Sequence, residues 1–90
     1  MKIAKKDGSK EEIDEGKLWH SLYYPAREAH YGEDEAVELA DSAKHRIMEW
    51  IHRHEDNVIT SRELSEKAEK VLDDTDPDVA LMYDKHLDIN

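Results

Sequence analysis

Ninety residues at 38% hydrophobic content make one domain with a single shallow core, and zero cysteines remove disulfides and cysteine zinc sites. No run approaches the roughly 18 apolar residues of a membrane span and no signal-peptide pattern opens the chain, which points to a cytoplasmic protein with no membrane partner. A formal net charge of −10 opposes direct nucleic-acid binding, because phosphate-tracking proteins gather Lys and Arg along one face.

The runs Lys2–Lys6 and Lys10–Ile13 flank Asp7-Gly8, a strong hairpin signal, since a tight turn needs a positive φ that Gly gives freely and Asp tolerates. Ile3 and Ile13 are the only bulky apolar residues there; lysines 2, 5, 6, 10 and 17 dominate. Residues 1–17 carry five lysines against five acids, so the whole net charge lies in residues 18–90. A lysine-rich hairpin running into a helix N-terminus suits phosphate, because ammonium groups converge there with unpaired N–H groups and the positive end of the helix dipole.

Asp14 is a good N-cap for a helix to about Ala29 or His30, with Leu18, Leu22, Ala26 and Ala29 on one face. Trp19 and Tyr23 form a neighbouring stripe that reads as core or flank, and Pro25 predicts a kink. Tyr31-Gly32 ends that helix. Glu33-Asp34-Glu35 opens a long one to about Arg53, with Ala36, Ala40, Ala43, Ile47, Trp50 and Ile51 inward. Asp56-Asn57 predicts a turn and Val58-Ile59 a very short strand beside the hairpin. Thr60-x-x-Glu63 is a capping box for a third helix, with Leu64, Ala68, Val71 and Leu72 inward. Asp76-Pro77 opens a fourth, with Val79, Ala80, Met82 or Tyr83, and Leu87 on its apolar side. The expected fold is α+β and mostly α: one domain, residues 1–90, in which a four-helix bundle is capped by a three-stranded sheet.

Enzyme chemistry lacks its usual parts. The acid pairs Glu11-Glu12 and Asp73-Asp74 are what a 40% charged surface produces, with no apolar neighbours expected to shift them. There is no Gly-x-Ser-x-Gly and no Walker-type loop, and His52 and His54 fall on different sides of a helix.

The run Lys5-Lys6-Asp7-Gly8, Glu11, Ile13-Asp14 and Lys17-Leu18 resembles the opening of an ATP-cone domain. The resemblance continues through Ile59-Thr60-Ser61, Leu64, Val71-Leu72, Asp76-Pro77-Asp78 and Ala80, in order and with compatible spacing. It implies a non-catalytic module that binds ATP or dATP, with Mg²⁺, and regulates ribonucleotide reductases or the repressor of their genes; the missing zinc-ribbon cysteines argue against the complete repressor. By the same resemblance Lys5 and Lys17 contact the triphosphate, with Lys6 at the adjoining position that is usually Arg, and Glu11 and Asp14 read the adenine edge. Ile3, Ile13 and Leu18 pack around the base; Ser61 falls where a Thr or Ser binds near the phosphates, and Ser65 where some members carry Asp or His. Three features depart from the family pattern: Pro25, Asp14 where Asn is common, and no lysine beyond the last helix. The resemblance implies a regulated protein or neighbouring domain as partner and makes a homo-oligomer possible. An alternative is a cone-like protein-interaction module that has lost nucleotide binding.

Overall fold

Two three-residue strands, Lys2–Ala4 (β1) and Lys10–Glu12 (β2), pair antiparallel with Ile3 opposite Glu11, each shorter than its sequence run. The computed structural model describes residues 2–5, 7–55 and 58–89, the last four by backbone alone. Lys6, the expected Asp56-Asn57 turn and the Leu87 side chain therefore lie outside the described residues. The Lys5 N–H donates to the Ser9 carbonyl (2.8 Å) and the Gly8 N–H to the Lys5 carbonyl (3.0 Å). Gly8 takes φ +88°, a conformation that a side chain would resist. Asp7 contributes differently from expectation: its φ is not positive, and its Oδ1 accepts from the Ser9 hydroxyl (2.6 Å) and N–H (2.9 Å). Those bonds hold its carboxyl below the usual carboxylate range.

Asp14 caps the first helix, Glu15–Glu28 (α1), its Oδ1 accepting from the Lys17 N–H at 3.1 Å. The helix runs on through Pro25, whose ring is buried although it has no N–H to offer the preceding turn. Its end lies close to the expected Ala29 or His30, with Ala29 as the C-cap. His30, not Gly32, adopts the left-handed conformation (φ +72°), while the N–H groups of His30 and Tyr31 donate to the Arg27 and Ala26 carbonyls, both at 3.1 Å. This is a Schellman ending with histidine in the position glycine usually fills. Gly32 instead is the extended N-cap of the second helix, Glu33–His52 (α2). His30→Gly is expected to stabilise the domain by about 0.5–1 kcal/mol, because it relieves a left-handed L-residue; denaturant melts of the two proteins check it.

β3 (Val58–Thr60) lies parallel to β1, with Ile59 in register with Ile3, giving the sheet order β2-β1-β3. Thr60 ends that strand and caps α3 (Ser61–Thr75): its Oγ1 accepts from the Glu63 N–H at 3.0 Å, and its own N–H donates to Glu63 Oε1 at 3.3 Å. Asp76 then caps α4 (Pro77–Ile89), accepting from the Asp78 N–H at 3.0 Å. Helix α1 packs on α2 and α4, and α3 packs on the same two. Leu22, Ala26, Ile47, Ile51, Ile59, Leu72 and Val79 sit at the centre of the core. Leu39 joins it from α2 although the sequence stripe omits it, Trp50 is only half-buried, and Tyr83 rather than Met82 is the buried residue of α4. Trp19 stacks on Tyr23 at 4.9 Å and donates through Nε1 to Asp41 (2.7 Å), so the stripe flanks the core.

Tyr31 ties the α1–α2 connection to the α3–α4 corner, its hydroxyl donating to Asp76 Oδ2 at 2.6 Å. That bond first, and the Asp78 N–H second, hold the Asp76 carboxyl below its ordinary range. A carboxyl lowered in the folded state adds stability that is full above its unfolded value and is lost as pH falls through the folded one. The stability difference between wild type and Tyr31→Phe is therefore expected to be full at neutral pH and to shrink below about pH 4, as melts across that range would show. An unchanging difference would mean that the bond does not discriminate the carboxylate.

Candidate functional site

A cleft of about 210 Å³ opens between the hairpin and the helices. β1 gives it Ile3, β2 gives Glu11 and Glu12, and the β2–α1 junction gives Ile13 and Asp14. Helix α1 adds Lys17, Leu18 and Ser21, helix α3 adds Leu64 and Ser65, and helix α4 adds Tyr83. The local sequence explains this convergence. The short hairpin delivers β2 directly to the α1 cap, so Glu11 through Leu18 wrap one end of the cleft. The parallel pairing of Ile3 with Ile59 brings the start of α3 alongside.

The floor is apolar. Ile3 and Leu18 are buried, Ile13 and Leu64 are half-buried against the core, and Tyr83 closes the bottom. Burial pushes the Tyr83 hydroxyl up, with a hydrogen bond from Ser65 acting in the opposite direction. The rim is charged: Glu11, Glu12, Asp14 and Lys17 are all exposed. Lys5 stands beside it, its ammonium 2.8 Å from Glu11 Oε1. That contact raises Lys5 and lowers Glu11, chiefly through the hydrogen bond and then through the charge. Apolar side chains do flank Glu11 and Glu12, contrary to the sequence reading, yet Glu11 shifts down because Lys5 outweighs desolvation.

Of the sequence candidates, Ile3, Glu11, Ile13, Asp14, Lys17, Leu18 and Ser65 share this cleft. Lys5 reaches it through Glu11, Ser61 does not line it, and Lys6 lies outside the described residues. Glu12, Ser21 and Tyr83 line it without having been singled out as site residues. Ser21 was legible, standing one turn beyond Lys17 and Leu18; Tyr83 was not, because its contact with α3 is tertiary. A wider depression of about 300 Å³ lies among Glu15, Asp41, Lys44, His45 and Met48, and the Lys44–Glu15 ion pair (3.2 Å) joins two of its lining residues. No helix among the described residues is long and apolar enough to cross a membrane.

A family model described as the ATP cone domain matches residues 1–84. The comparison with curated proteins gave no match. Hairpin, capped helices and cleft are thus matched over nearly the whole length, and the chain belongs to the ATP cone domain family, a family of nucleotide-binding regulatory domains rather than catalytic ones.

Proposed function

We propose that this chain senses ATP or dATP, with Mg²⁺, in the cleft between hairpin and helices. The observation that carries this is the meeting of Ile3, Ile13 and Leu18 with Lys17 and the capped start of α1 around one cleft. At about 210 Å³ the cleft is smaller than the roughly 300–1,000 Å³ of typical small-molecule pockets. It suits a base and part of its sugar, on the apolar floor. The phosphates then extend over the first turn of α1, where the Glu15 and Gly16 N–H groups and the Lys17 ammonium favour anions. Lys5 joins them once it leaves Glu11, with Lys6 recommended by the sequence alone. Ser61 opens α3 on the phosphate side of this reading, and Ser65 lines the cleft one turn further on.

Binding acts on a regulated protein or neighbouring domain, a ribonucleotide reductase or its regulator being the family-based choice, in the cytoplasm and without nucleic-acid contact or catalysis. Self-association is one route, because a second site is needed for allosteric coupling. A cone-like interaction module without nucleotide affinity is favoured by one specific observation: three carboxylates line the cleft and the Lys5 ammonium is tied to one of them. Calorimetric titration with ATP and dATP in Mg²⁺ separates the readings. Saturable micromolar binding supports the sensor. No heat and no thermal shift at millimolar nucleotide would leave the interaction module.

A further inference from the structure

We propose that the cleft accepts guanine nucleotides at least as readily as adenine nucleotides, and that Asp14 sets this tolerance; the inference rests on the nucleotide reading above. The polar groups of the cleft are unbalanced. Glu11, Glu12 and Asp14 bring carboxylates, which only accept hydrogen bonds. Two donors are already spent: the Ser21 hydroxyl donates to the Leu18 carbonyl at 2.6 Å, and the Lys17 N–H donates to Asp14. With the Lys17 ammonium given to the phosphates in the reading above, the rim beside the apolar floor is rich in acceptors and favours a base whose edge presents donors.

Asp14 is the carboxylate best placed to read that edge. Glu11 is engaged by Lys5 at 2.8 Å. Asp14 adjoins Ile13 and precedes Leu18 by one turn, so it borders the floor. Its Oδ1 takes the Lys17 N–H at 3.1 Å, while its Oδ2 has no partner among the described residues. A carboxylate retains further lone pairs when one is used. Adenine places its amino donor next to a ring-nitrogen acceptor, and that acceptor faces a carboxylate unfavourably. Guanine places N1–H and the N2 amino group side by side, two donors for two oxygens. An amide at position 14 would supply the donor that adenine needs.

The test is calorimetric titration of wild type and Asp14→Asn with ATP, GTP and ITP, each with Mg²⁺. Asn caps a helix as well as Asp, so the variant keeps its fold, which a melt verifies. Wild type is expected to bind GTP at least as tightly as ATP, with ITP weaker than GTP for want of the N2 amino group. In Asp14→Asn the GTP-to-ATP affinity ratio is expected to fall by about tenfold, the size of one bidentate base contact. A wild-type preference for ATP, or a ratio unmoved by the substitution, overturns the proposal while leaving the adenine sensor standing. No binding of any of the three overturns both.

Discussion

Ile59→Ala is expected to destabilise the domain by about 3 kcal/mol, lowering the melting temperature by roughly 12–24 °C. Ile59 is 1% exposed in β3 and lies in register with Ile3, so truncation leaves a cavity under the sheet rather than a surface dent. The strand has only three residues, and the next element begins at Ser61. The sheet pairing and the α3 capping box therefore have little slack with which to refill the space. Leu81→Ala is the matching control: the side chain is 52% exposed, and the change is expected to stay within about 0.5 kcal/mol. Thermal and denaturant melts of the three proteins decide the matter. A loss below about 1 kcal/mol for Ile59→Ala would contradict the placement of β3 in the core. Because Ile3 is both the register partner of Ile59 and part of the cleft floor, nucleotide affinity should weaken along with stability.

The element boundaries were legible because each rests on local chemistry. Asp7-Gly8 specifies a reversal, Asp14 and Thr60-x-x-Glu63 satisfy orphan N–H groups within three residues, and Asp76-Pro77 does the same for α4. The α1 ending falls close to the expected residue, but the chain makes its left-handed turn at His30 and uses Gly32 to begin α2. Long-range pairings left no mark in the spacing. The Tyr31–Asp76 bond spans 45 positions and the Trp19–Asp41 bond 22, and neither follows from a helical period. Most of the cleft was readable because hairpin and α1 are adjacent in sequence. Its contribution from α4, Tyr83, depends on how the helices pack. The Lys5–Glu11 pair, which decides whether a hairpin ammonium is available, needed side-chain positions.

That pair shapes the second large effect, which falls on Lys17. Lys17→Ala is expected to weaken ATP binding roughly ten- to hundredfold, the value of one charge-assisted phosphate contact. Lys17 stands in the first turn of α1 and lines the cleft, and no ion pair engages it among the described residues. Its backbone N–H, not its side chain, supplies the bond to Asp14, so alanine keeps the cap and is the best helix former at that position. The melting temperature should therefore hold or rise slightly, and the salt dependence of binding should become shallower. Lys5 behaves differently. Its ammonium must leave Glu11 before meeting a phosphate, and Lys5→Ala also releases that carboxylate to face the ligand. The pair is about half exposed on both sides, so solvent screening makes the exchange cheap in stability. ATP titrations of wild type and both variants, each with a parallel melt, separate these contributions. Affinity unchanged within about twofold in a fully folded Lys17→Ala protein would remove the phosphates from the start of α1.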